Sequence, residues 1–183
     1  MATGSAPKLK VAGDAILHPA ALAALALLVL NDHVLKAAFP GQITGKLSDA
    51  AGLAFFPLLL LGAWELALLL AGRWRWPSRR SAIAVVVVTG LGFVLVKTTA
   101  PGAEAFGTAI GFGQWLAGIP GALATAMPLG AAQPARVLAD PGDLVALPAL
   151  LLPLIIGLRR ASAAVSASSP EPAYGGDGDP VGP

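Results

Sequence analysis

Charged side chains are scarce in this chain, and nearly all of them sit at the ends of long apolar runs. Asn31, Asp32, His33 and Lys36 close the first run, and Lys46, Ser48 and Asp49 open the second. Lys97 ends the third, Glu104 follows it, and Asp140 and Asp143 precede the last. If successive runs cross a membrane in alternate directions, all of these residues meet at one surface. Gathered there, they could bind a charged headgroup, relay protons, or hold a hard cation between Asp32, Asp49, Asp140 and Asp143. Each residue also has a plainer explanation. Ser and Asp before a helix cap its free N–H groups and oppose its dipole, and Asp32 and Lys36 are spaced to pair along one helix.

A second pair stands at the opposite face. His18 precedes the first run, and Glu65 lies roughly 26 Å along the second from Ser48. A half-buried carboxylate needs a partner, and a contact between His18 and Glu65 would tie the first two runs together.

Several familiar chemistries are missing. The chain has no GxxxxGK[ST] loop, no HExxH and no GxSxG. With no cysteine and two histidines, disulfides and thiol catalysis are excluded, and neither a transition metal nor a cofactor is expected. The 12 Lys and Arg form no basic face of the kind that binds nucleic acid.

The elements that would position these residues follow from composition. The chain is 56% hydrophobic and 12% charged, with a mean hydropathy of +0.74, which predicts an all-α, polytopic transmembrane bundle. A bilayer core of roughly 30 Å needs about 20 apolar residues per span, so 183 residues hold four or five. Residues 1–14 form an N-terminal segment, 15–160 the helical domain, and 161–183 a disordered tail rich in Ser, Gly and Pro.

The expected spans are Ala15–Leu35, uncleaved despite Lys8 and Lys10 ahead of it, then Ser48–Gly72, Ser81–Val96 and Asp143–Leu158. Ser48 reads as an N-cap, Pro57 as a kink, Gly90 and Gly92 as points of close helix approach, and Asp140-Pro141 as a helix start. Phe106–Ala132 is studded with Gly and Pro. It predicts either a fifth, kinked span or two half-helices meeting in a re-entrant hairpin at Ile119-Pro120-Gly121, a form stable only against protein or a wet cavity. Four crossings plus a hairpin put Lys8, Lys10, Arg73, Arg75, Arg79, Arg80, Arg159 and Arg160 inside and Lys36, Lys46, Lys97 and Arg136 outside. Five crossings give a poorer split, so the positive-inside rule favours four. Both termini are then cytoplasmic, in a plasma membrane.

The residues Asn31-Asp32-His33, Lys36, Pro40-Gly41 and GKLSDAAGLAFFP (45–57) resemble a small family of bacterial integral membrane proteins. More distantly the chain resembles the VanZ-like membrane proteins. Their D-K-x-x-H pattern is met as Lys46 and Asp49, and their Q…R…D-x-x-D pattern as Gln133, Arg136, Asp140 and Asp143; Asp49 replaces His and Leu147 replaces Asn. The resemblance implies a polar outer-face pocket on a small helical bundle, with membrane lipid around it and an envelope or lipid-linked ligand. Two functions fit: a protein that binds or passes a small or lipid-linked solute, and a membrane enzyme acting on a lipid-linked headgroup.

Overall fold

A chain surrounded by hydrocarbon must satisfy its own backbone, and helices do so within each segment. The computed structural model describes residues 11–74, 77–125 and 130–168, and among these there is no strand. A short 3-10 turn, Asp14–Leu17, leads into α1, Pro19–Leu30. His18 caps α1, its Nδ1 accepting from the Ala20 N–H at 3.2 Å, and Pro19 takes the first position, where a missing N–H costs nothing. The helix continues through a π-helical turn, Asn31–Leu35, and a last turn α2, Lys36–Ala38.

Thr44 tightens the corner that follows by donating to the carbonyls of Phe39 at 3.1 Å and Gly41 at 2.9 Å. The long helix α3, Gln42–Leu70, then runs back through the buried Pro57. Gly72 ends it in a left-handed conformation, φ +67°, with the Arg73 N–H bonded to the Leu68 carbonyl and the Gly72 N–H to that of Leu69. This is the pattern that closes a helix on a glycine.

Helix α4, Arg79–Thr98, is capped by Ser78, and after the extended Thr99 comes α5, Ala100–Thr125. The chain returns through 130–140 without helix and enters a ten-residue 3-10 helix, Pro141–Leu150, which passes directly into α6, Leu151–Ser168. Asp140 caps that entry by accepting from the Gly142 N–H at 2.8 Å. Pro148 and Pro153 lack the N–H groups an α-helix would use there, which favours the tighter winding ahead of α6.

Among the described residues, four stretches are long and apolar enough to cross a membrane: Pro19–Ala38, Gln42–Leu70, Arg79–Thr98 and Pro141–Ala164. Helix α3 is the hub, packed against α1 on one side and against α4 and the 3-10/α6 helix on the other. The core is built largely of small residues, Ala15, Ala21, Ala24, Ala54 and Ala82, around Phe55, Leu58, Leu61 and Ile156. Small side chains let helices approach where no water drives them together. Gly157 is one such point, since a Cβ there would stand 2.7 Å from that of Ala82.

The structure departs from the sequence expectations in four places. Helix α3 starts at Gln42, so Ser48 is an interior residue and not a cap. No half-helix break occurs at Ile119-Pro120-Gly121, because α5 runs unbroken past Pro120. The chain returns beyond Thr125, held by the Ala135 N–H on the Gly107 carbonyl at 2.9 Å and by Trp115 Nε1 on the Gly130 carbonyl at 2.7 Å. Gly107 and Gly111 accommodate that return, since a Cβ on either would collide with the carbonyl oxygen of Ala135 or Gln133. Finally, α6 extends to Ser168, past the expected start of the tail; 169–183 lie outside the described residues.

Candidate functional site

Three helices meet at Lys97. From the last turn of α4 its Nζ reaches Asp49 Oδ2 on α3 at 2.8 Å and Asp143 Oδ2 on the 3-10 helix at 2.7 Å. Lys46 Nζ, one turn before Asp49 on α3, lies 3.0 Å from Asp143 Oδ1. Local structure explains the convergence: Lys46 and Asp49 share a helix face, and the Asp140 cap sets Asp143 in the first turn of its helix. The Lys97, Asp49 and Asp143 side chains are only 14%, 21% and 15% exposed. Two acids and two lysines cancel in charge, which offsets part of the cost of drying them. Lys97 Nζ also lies 5.5 Å from the Phe93 ring centroid, within cation–π range.

Behind this cluster the π-helical turn brings a second polar group onto α3. Asn31 is fully buried, and its Nδ2 donates to the Thr44 carbonyl and to Ser48 Oγ, both at 2.8 Å. The Ser48 hydroxyl donates in turn to Asp32, which also pairs with Lys36 at 2.7 Å. Ser48 is thus spent on side chains rather than on a helix end.

Beside the cluster lies a cavity of about 900 Å³. Helix α3 lines it with Gly45, Ser48, Asp49, Gly52, Leu53, Phe56 and Leu60, and α4 with Val88, Gly92, Phe93, Val96 and Lys97. Phe106 and Ile110 of α5 and Arg136–Leu138 of the returning segment form the third wall. One end is charged and the other is apolar. Gly45, Gly52 and Gly92 face open space, with no atom within 4 Å of where a Cβ would stand. The hollow exists because side chains are missing from these three positions.

Of the residues singled out in the sequence, Lys46, Asp49, Lys97 and Asp143 come together, and Lys36 and Asp140 stand on the cavity rim. Asp32 is one step removed, engaged by Ser48 and Lys36. His33 is exposed on the π turn and has no side-chain partner among the described residues. Among those residues no three acidic or histidine side chains gather to hold a metal ion, and Asp49 and Asp143 are bridged by an ammonium, which argues against the hard-cation alternative.

The expected His18–Glu65 contact is not made. Glu65, 3% exposed, accepts from the Gly13 N–H at 2.9 Å and from both terminal nitrogens of Arg160 at 3.0 and 3.1 Å. Asp14 pairs with the same guanidinium. A two-toothed guanidinium satisfies a buried carboxylate better than one imidazole nitrogen, and His18 Nδ1 is occupied by the Ala20 N–H. Arg160 and Asp14 escaped sequence reasoning because a basic residue at the end of a span already has an explanation. Gly92, expected as a point of close helix approach, faces the cavity instead, while Gly90 does meet Leu150. Gly45 and Gly52 escaped, and their seven-residue spacing was the available clue.

In comparisons with family models, curated proteins and solved structures, the chain matches none.

Proposed function

We propose that this chain is a multi-pass membrane protein that binds, or passes along its bundle, a small or lipid-linked amphiphile in the cavity between α3, α4 and α5. The polar part of the ligand lies at the Lys97 cluster and the apolar part toward Leu60 and Val88. The observation that carries this reading is the set of three cavity glycines. A glycine inside a helix costs about 1 kcal/mol relative to alanine, and at Gly45, Gly52 and Gly92 no neighbour moves in to offset it. Residues 49 and 60 are eleven apart on α3, so the wall runs about 16 Å from the charged end into the apolar one. That polarity profile suits an amphiphile better than a wholly polar solute. The VanZ-like resemblance points the same way, to an envelope ligand at an outer face, with both termini in the cytoplasm.

The test is chemical. Protein purified in mild detergent is extracted and its bound amphiphiles compared with those of a Gly52→Leu/Gly92→Leu variant, whose new side chains have room to enter the cavity without disturbing packing. A discrete amphiphile near one per chain in the natural protein, reduced about tenfold or more in the variant, is expected. Identical profiles would remove the proposal. Recovery of the amphiphile with its headgroup cleaved or exchanged would move the reading to a membrane enzyme.

A further inference from the structure

We infer that the polar end of this cavity takes the phosphate of a membrane lipid and that Arg136 is the residue that contacts it; the inference rests on the cavity reading above and gives its occupant a chemical class. The argument is a charge census of the rim. Lys97 is engaged by Asp49 and Asp143, Lys46 by Asp143, and Lys36 by Asp32. Three lysines and three acids therefore neutralise one another. Asp140 also faces the cavity, with one oxygen turned to the Gly142 N–H as a helix cap. Asp140 and Arg136 are the two rim charges that no ion pair uses, so four cations and four acids sum to zero there. Asp140, however, is turned to a backbone N–H, and Arg136 to nothing among the described residues. Arg136 lines the cavity, is exposed, and among the described residues has no acid within 4 Å and no hydrogen bond from its side chain.

Its position is fixed by its neighbour. The Ala135 N–H is bonded to the Gly107 carbonyl at 2.9 Å, and the glycines of α5 seat the segment closely. The guanidinium therefore starts from an anchored backbone rather than from a free loop. Around it are Phe106, Ile110, Val137 and Leu138, which line the same wall. An unanswered cation beside hydrocarbon is costly, and its planar fork matches two phosphate oxygens at once. The rim lies at the helix ends, the level at which a bilayer carries its phosphates. Exposed apolar side chains at Phe56 and Val88 join the cavity wall to the outer, membrane-facing surface. A lipid can thus enter sideways, tail and headgroup together, without leaving the bilayer.

The experiment uses the full chain in mild detergent and native mass spectrometry with three probes: dioleoyl phosphatidylglycerol, dioleoylglycerol, which has the same tails and no phosphate, and sodium phosphate alone. The phospholipid should be retained about tenfold more tightly than dioleoylglycerol. Arg136→Gln should abolish that preference and Arg136→Lys keep part of it, both on an exposed residue whose loss spares the core. Gly52→Leu should block both lipids. If Gly52→Leu blocks both but the phospholipid has no advantage, or Arg136→Gln leaves the advantage intact, the headgroup inference fails while the cavity reading stands. If Gly52→Leu blocks neither, the cavity reading itself fails. Displacement of the phospholipid by millimolar sodium phosphate would assign Arg136 to a free anion and overturn the lipid inference.

Discussion

A single guanidinium holds three parts of the chain at the end of the bundle opposite the Lys97 cluster. Arg160 of α6 answers Glu65 of α3 and Asp14 of the N-terminal turn. Removing one partner of a buried pair leaves the other charge unanswered, at a cost of about 3 to 5 kcal/mol. Arg160→Met is therefore expected to destabilise the protein by about 3 kcal/mol in detergent unfolding, and Glu65→Gln by less, because Arg160 keeps Asp14. His18→Ala should cost about 1 kcal/mol, the value of a helix cap, and should add to Glu65→Gln within about 0.5 kcal/mol. A coupling above about 1 kcal/mol between His18 and Glu65 would contradict the assignment of Arg160 as the partner. That Glu65 needs a partner is legible in the sequence, since a carboxylate in an apolar run must be compensated. Which residue answers is not legible. Counting residues along a span gives depth in the bundle but not the direction in which a side chain points around the helix axis.

At the scale of elements, the helices of the bundle are legible because hydrocarbon allows little else, and their ends less so. The Ser48-Asp49 cap signature is real chemistry, but Asn31 and Asp32 claim the Ser48 hydroxyl, and α3 starts nearly two turns earlier. The π turn at 31–35 has no local signal, because it answers to α3 rather than to its own residues. Pro120 suggests a break, yet a proline removes one hydrogen bond and α5 continues past it. Gly107 and Gly111, spaced as for contact with another helix, seat the returning non-helical chain instead. Any side chain at Gly107 should lift that segment. In a Gly107→Leu background, a cysteine placed at Val137 should be labelled about tenfold faster than in the natural background, reporting freer opening of the segment. Gly113→Leu, where nothing stands within 4 Å of a Cβ, serves as the control and should leave the rate unchanged. Equal rates in all three backgrounds would show that the segment is not held at Gly107.

For the molecule as a whole, four crossing-length helices return the last one to the end at which the first began. The Asp14–Glu65–Arg160 group therefore lies at one end and the Lys46–Asp143–Lys97–Asp49 group at the other. Arg73, Arg79, Arg80, Arg159 and Arg160 fall at the first end, against Lys36, Lys46, Lys97 and Arg136 at the second. The positive-inside rule predicts that the first end faces the cytoplasm. The chain has no cysteine of its own, so Ala71→Cys and Ala132→Cys, both exposed, can be read separately with a membrane-impermeant maleimide. Ala132→Cys should react in intact cells and Ala71→Cys only after the membrane is opened; the reverse pattern would invert the orientation. Four helices of crossing length were legible from the apolar runs alone. The hollow between α3, α4 and α5 was not, because it depends on which faces of three helices are turned toward one another.

The ten residues of 3-10 helix that carry Asp143 behave as a straight-edge. With three residues per turn, side chains three apart stack in line instead of spiralling. Asp143, Ala146, Ala149 and, one turn on, Leu152 form such a row, Ala146 buried and Ala149 and Leu152 laid on the core. The row aims the carboxylate by means of the alanines beneath it. One residue inserted between Asp143 and Ala146 would leave the alanine rail seated and swing Asp143 about 120° away from Lys97, so the charged cluster is indexed to the core in steps of a whole turn.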